Sequence, residues 1–267
     1  MSENWKNIAK KASIGLALTL VLLGAYLLGS NKRKQVLCTK IEITINDSLE
    51  TPYLSTENIN EFIASDYGKV LGTPIDNLDL YKIESLLNNK GEIIGSEVYV
   101  TNNGVLKISV SQRKPIMRFQ AKNYAFYCDK EGYILPLKQN FHPDVLLIDG
   151  YTPIDTTDCL KGRPETPAKV EWLDRILRMT EYINSSSIWK NRIAQIHIED
   201  SGYLIVVPRD GKEIFLMGPI DEFEKKFEKM QIYYESIVPA SEGKEYNLVD
   251  LRFDRQIVCR NTEKENN

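Results

Sequence analysis

The sequence predicts an α+β protein: one N-terminal transmembrane helix, a small β-α-α-β-β unit, then a larger antiparallel sheet with two main helices. Three observations predict it. An uncharged apolar run fills residues 12–29, long enough at the helical rise to cross roughly 27 Å of hydrocarbon. Behind it, segments of period-2 alternation recur between turn residues, the mark of half-buried strands. Two further stretches, beginning at Pro167 and at Gly218-Pro219, repeat apolar residues at helical spacing instead.

The apolar run has Lys6, Lys10 and Lys11 before it and Lys32, Arg33 and Lys34 after it, with Trp5 placed for a membrane interface. A cleaved signal peptide has a shorter apolar core and a small-x-small cleavage site, which Leu27 to Ser30 does not supply. A buried core helix would show a polar face, and the run has none. The reading is therefore a retained transmembrane helix over 12–30, behind a tail at 1–11. Equal basic flanks leave the positive-inside rule silent on orientation.

The remaining segment of the 267-residue chain is long enough for one or two domains with real cores. With 34 basic and 37 acidic residues the net charge is −3, which gives no electrostatic case for nucleic acid. Cys38, Cys128, Cys159 and Cys259 are scattered without CxxC spacing. That argues against a metal site and leaves the disulfide state open.

Taken in order, residues 38–46 place Ile41, Ile43 and Ile45 on one face of a strand. Ser55-Thr56-Glu57 offers an N-cap before Ile59, Phe62 and Ile63 at helical spacing. Asp79 opens a second short helix with Leu80, Ile83, Leu86 and Leu87 on one face, and Gly91 ends it. Ser96 to Thr101 and Val105 to Gln112 alternate about Asn103-Gly104, a hairpin signal. Three strands covered on one face by two helices is the natural packing of this order. The unit runs from 36 to 115, where Pro115 removes a ladder donor and marks the boundary.

The second unit, 116–260, opens with a hairpin, Tyr124 to Cys128 and Tyr133 to Leu135, turning at Asp129 to Gly132. A strand follows at Val145 to Ile148, and a Pro/Thr/Gly-rich loop fills 150–167. Pro167 starts a helix with Val170, Leu173, Ile176, Leu177 and Ile183 on its buried side. Strands at Ile193 to Ile198, Tyr203 to Val207 and Glu213 to Met217 come next. A long helix runs from Gly218-Pro219 to about Val238 with Phe223, Phe227, Met230, Tyr234 and Ile237 as its apolar stripe. Tyr246 to Phe253 and Gln256 to Arg260 close the sheet. The last strand has no successor to cover it and so belongs at an open edge. The polar tail 261–267 is expected to be disordered.

Catalytic patterns are absent from the sequence. No G-x-S-x-G, HExxH, Walker or GxGxxG pattern appears. Of the two histidines, His142 adjoins a proline and His197 sits in an alternating strand, where a solvent-facing role is the default. No catalytic residue, cofactor site or metal site is assigned, and the expectation is a protein that is not an enzyme.

With the anchor and the small β-α-α-β-β unit in place, three stretches carry a family likeness: VSQRKPIMR (110–118), DKEGYILPL (129–137) and YNLVDLRFD (246–254). Together they resemble the FtsQ/DivIB cell-division family, whose members combine a single-pass anchor, a POTRA domain and a β-domain. The resemblance implies a bitopic protein of the inner membrane at the division septum, N-terminus cytoplasmic and bulk extracytoplasmic. It implies FtsB- and FtsL-like coiled-coil partners alongside other divisome components, and control of septal peptidoglycan synthesis without catalysis. By motif, Arg252 and Phe253 take the positions of a basic and an aromatic contact, with Arg255 in the following turn. Gln256, Ile257, Val258 and Cys259 form the expected pairing edge. The small residues and terminal tryptophan of the family pattern are replaced here by QIVCRN (256–261), so the partner's side chains must differ. Two rival readings are a POTRA-bearing envelope export or assembly factor and a membrane-anchored hydrolase. The first usually precedes an outer-membrane barrel, whose long series of amphipathic strands is missing here. The second requires a polar cleft with perturbed titratable groups.

Overall fold

The structure, a computed structural model, describes residues 15–26, 36–46 and 52–261. Residues 15–26 are helical with exposed apolar side chains. No helix among the described residues is long and apolar enough to cross a membrane. The rest of the 12–30 expectation, its basic flanks, and the tail from 262 onward lie outside the described residues.

The chain divides into two compact units, which split between Gln112 and Arg113, with Tyr53 grouped in the second. The first holds β1 (Lys40–Asn46), α1 (Thr56–Asp66), α2 (Leu80–Asn88), β2 (Ile93–Val100) and β3 (Val105–Gln112). Helix α1 starts at Ser55 because a capping box closes there. The Ser55 hydroxyl accepts from the Asn58 N–H at 3.3 Å, and the Asn58 side chain accepts from the Ser55 N–H at 3.1 Å. Asp79 caps α2 by accepting from the Lys82 N–H at 2.9 Å. The strands lie in the order β1-β3-β2. Parallel pairing sets Ile41, Ile43 and Ile45 beside Leu106, Ile108 and Val110. These residues, with Ile59, Ile63, Ile83 and Leu87 from the helices, make the apolar layer. Gly104 turns the hairpin at φ +82, and a Cβ there would stand 2.2 Å from the Leu37 carbonyl oxygen, so the turn admits glycine alone.

The second unit is one nine-stranded sheet, in the order β12-β11-β10-β9-β8-β7-β4-β5-β6. Its strands are β4 (Pro115–Gln120), β5 (Ala125–Asp129), β6 (Ile134–Pro136), β7 (Leu146–Gly150), β8 (Ile193–Ile198), β9 (Leu204–Pro208), β10 (Ile214–Gly218), β11 (Leu248–Asp250) and β12 (Val258–Arg260). Its helices are α3 (Thr156–Lys161), α4 (Pro167–Ser185) and α5 (Phe223–Ile232), the last continued by a π turn at Tyr233–Ile237 and a further turn to Ala240. The core forms where α4 and α5 lie on one face. Met117, Phe119, Ile148, Ile196, Val206, Phe215 and Val249 meet Ile176, Met179 and Ile183 of α4 and Phe227 and Met230 of α5. Phe119 stacks on Phe126 at 5.3 Å, and Trp189 meets Phe227 at the same separation.

Five expectations need correcting. The sheet is mixed, since β4–β7, β7–β8 and β10–β11 pair in parallel. Period-2 alternation is the same in both senses. The helical crossovers of α4 and α5 return the chain in the same direction for β7–β8 and β10–β11, and the excursion through β5 and β6 does so for β4–β7. Pro115 opens a strand, β4, that was not anticipated, because a first strand residue needs no ladder donor. The segment 150–167 is not all loop. Asp155 accepts from the Thr157 and Asp158 N–H groups and starts α3, which ends at Gly162 with φ +79. The last long helix begins at Phe223 rather than Gly218, after Glu222 turns at φ +52. The closing strands are only three residues each, so Gln256 and Ile257 precede β12 instead of lying in it.

Candidate partner-binding edge

The two ends of the nine-stranded sheet differ. At one end the outer side of β6 is occupied: the Ile134 N–H donates to the Gly162 carbonyl at 2.5 Å and the Tyr53 hydroxyl donates to the Pro136 carbonyl at 2.8 Å. At the other, β12 has a single strand neighbour among the described residues, β11, in the register Leu248–Arg260, Val249–Cys259 and Asp250–Val258. An edge of this kind offers backbone N–H and C=O groups to an incoming strand.

Alternation decides how β12 sits. Ile257 and Cys259 turn toward the core and pack against it half-buried, whereas Arg260 is exposed. Burial pushes the Cys259 thiol up, so the group behaves as a small apolar side chain rather than a nucleophile. The strand is tied at its far end as well. The Asn247 N–H donates to the Arg260 carbonyl at 3.1 Å, and the Asn261 side-chain amide donates to the Glu245 carbonyl at 3.0 Å. Asn261, expected in a disordered tail, is therefore part of the folded edge.

The approach to β12 is held by two charged groups. Arg252 grips Asp250 as a fork, Nε to Oδ1 at 2.8 Å and a terminal nitrogen to Oδ2 at 2.6 Å, and its own N–H adds a third bond to Oδ1 at 3.1 Å. The Asp250 carboxylate is 3% exposed and is held below the usual carboxylate range by that guanidinium. The arm of Arg252 lies across Gly218, where an added Cβ would stand 3.0 Å from the Arg252 Cγ. Lys229, on α5, donates to the Leu251 carbonyl at 3.2 Å and to the Phe253 carbonyl at 2.5 Å. The clamp fixes the backbone of the turn while Phe253 stays 43% exposed, beside exposed Arg255 and Gln256.

Of the residues the sequence singled out, Val258 and Cys259 form the edge strand. Arg252, Phe253 and Arg255 form the turn that leads to it, and Gln256 and Ile257 bridge the two. Sequence reasoning missed Asp250, Lys229 and Gly218. The Asp-x-Arg spacing at 250–252 was a usable signal for the fork. Nothing local pairs Lys229 with a backbone more than twenty residues away.

Elsewhere, the His197 Nδ1 lies 2.9 Å from the Asp149 Oδ1, as cross-strand neighbours on β8 and β7. All four cysteines are free. Among the described residues no three His, Cys, Asp or Glu side chains are grouped to hold a metal ion.

Residues 114–260 match the family model described as FtsQ/DivIB, C-terminal related, and residues 36–111 match the POTRA-like domain model. A curated relative, the cell division protein FtsQ of Salinibacter ruber (strain DSM 13855 / M31), is 24% identical over 164 residues. The match covers 59% of this chain and 60% of that relative's length.

Proposed function

The chain belongs to the FtsQ/DivIB, C-terminal related family, and from that premise we propose that it is a non-catalytic scaffold of the division machinery. It carries a POTRA-like domain ahead of the family domain. In this reading β12 accepts a strand from a small coiled-coil division protein of the FtsB/FtsL type, and residues 12–30 hold the chain in the inner membrane. The N-terminus is then cytoplasmic and both folded units lie outside it, at the septum, where they link early to late division proteins and so govern septal peptidoglycan synthesis.

The observation that carries this reading is the outer side of β12, which no strand covers among the described residues, set against the blocked outer side of β6. Magnitudes say what else is needed. A three-residue edge supplies two or three backbone hydrogen bonds, each of net value about 0.5–1.5 kcal/mol. Micromolar affinity needs about 8 kcal/mol. Strand pairing alone falls short, so side chains beside the edge must supply the rest, and in this reading Phe253, Arg255 and Val258 do so.

The test is proline at Val258 and, separately, at Cys259 in the full chain, with recovery of the FtsB/FtsL-like protein from membranes as the measurement. Each variant is expected to lose most of the partner while keeping its far-ultraviolet circular dichroism. Undiminished recovery with both would remove β12 as the docking strand.

A further inference from the structure

We propose that one end of the first unit's sheet rests in the surface of the bilayer that holds the chain, with the side chains of Leu37 and Leu71 among the lipid headgroups and first acyl carbons. This rests on the reading of residues 12–30 as the anchor, and it adds a second, folded contact between the chain and the membrane.

Backbone pairing decides which end that is. The chain enters the unit at Val36 as a strap laid between two loops. The Ile75 N–H donates to the Val36 carbonyl at 3.0 Å, the Cys38 N–H to the Thr73 carbonyl at 2.8 Å and the Gly72 N–H to the Cys38 carbonyl at 2.7 Å. On the other side the Thr39 N–H donates to the Gly104 carbonyl at 2.8 Å. The entry point is therefore fixed beside the Gly104 turn, where β2 finishes and β1 and β3 begin.

Chain length then sets the distance to the bilayer. Residue 30, the last of the proposed anchor, and Val36 are six residues apart, at most about 20 Å of fully extended chain. The connecting stretch carries Lys32, Arg33 and Lys34, whose long side chains favour the headgroup layer. The Gly104 end of the sheet is thus the end held close to the membrane.

The side chains at that end match a membrane surface. Leu37 is 47% exposed and Leu71 49%, although Cys38, Val70 and Ile75 beside them are buried. A single exposed leucine is ordinary. Two on hydrogen-bonded neighbouring segments, within reach of hydrocarbon, gain transfer free energy by entering it. Lys69 is exposed two residues before Leu71, and Tyr99 is exposed near the end of β2. Basic and aromatic side chains of this kind settle at headgroup level. Ile94 is 54% exposed as well, but it stands at the start of β2, about 20 Å from the Gly104 turn at the rise of a strand. Equal exposure at the far end makes it an internal control.

The test uses the full chain in nanodiscs of phosphatidylethanolamine and phosphatidylglycerol. The photoreactive residue p-benzoylphenylalanine replaces Leu71 in one variant and Ile94 in another, and lipid adducts are measured by mass spectrometry after irradiation. Adducts are expected at position 71 and not at 94. Adding Leu37→Asp to the first variant is expected to lower the yield about fivefold, the factor set by roughly half of a leucine's transfer free energy. Equal yields at the two positions, none at 71, or a yield untouched by Leu37→Asp would overturn the proposal. The same samples separate the two readings. A chain that stays in the disc without adducts at 71 sinks this contact alone, whereas a chain that never enters the disc removes the anchor as well.

Discussion

Asp250 and Arg252 stand two residues apart, and their fork decides the shape of the turn before the last strand. Because Arg252 depresses the Asp250 pKa, the pair stabilises the fold above the ordinary carboxylate value near pH 4. That contribution is lost as pH falls through the depressed folded value. Asp250→Asn is therefore expected to cost about 1–3 kcal/mol at pH 7. The cost should shrink as pH falls through that depressed value, below which the native carboxylate is protonated too. Urea midpoints of both proteins across that range check it, and a cost independent of pH would separate Asp250 from the ion pair. The residue scale was partly legible. Arg252 and Phe253 stood out in the sequence, but the carboxylate that aims the arginine became meaningful only with both side chains in space.

At the scale of elements, β11 and β12 are three residues each, too short to persist as an isolated pair. They rely on what is packed behind them. Ile257 and Cys259 contribute apolar contact, and Lys229 ties the connecting turn to α5. Lys229→Met keeps the aliphatic stem and deletes the two donated bonds. The expected outcome is a global loss of about 1–2 kcal/mol, with amide exchange of Val258 to Arg260 accelerated more than that of β8 or β9. Hydrogen exchange measured by mass spectrometry resolves the two segments, and uniform acceleration would deny the clamp a local role. Helix positions were legible for the same physical reason that this clamp was not. Apolar spacing in 167–183 and in the 223–237 stripe records which face is buried, and capping at Ser55 and Asp79 is written within three residues. Strand ends and a side chain reaching a distant carbonyl have no local record.

Across the whole molecule, function as proposed needs the edge presented beside a bilayer, so the apolar N-terminal segment carries a prediction of its own. The described helix over residues 15–26 is about 18 Å long at 1.5 Å per residue, shorter than the roughly 30 Å of a hydrocarbon core. The anchor as proposed is therefore the whole apolar run, 12–30. Arginine at both Leu20 and Leu22 adds about 2.5–3.5 kcal/mol each to insertion. The double variant is expected to leave the carbonate-resistant membrane fraction that retains the unaltered chain. Retention of the variant would remove residues 12–30 as the anchor. Most of the elements and their buried faces, β4 and α3 excepted, were legible from the sequence, because hydrophobic period, caps and turn glycines are written over a few neighbouring residues. Long-range pairing set the rest: β1 joins β3, the larger sheet is mixed, and Gly162 blocks one sheet end while β12, at the other, has one strand neighbour among the described residues. Those outcomes rest on which distant backbone groups pair, and the energy of that choice is shared across segments that no local window contains.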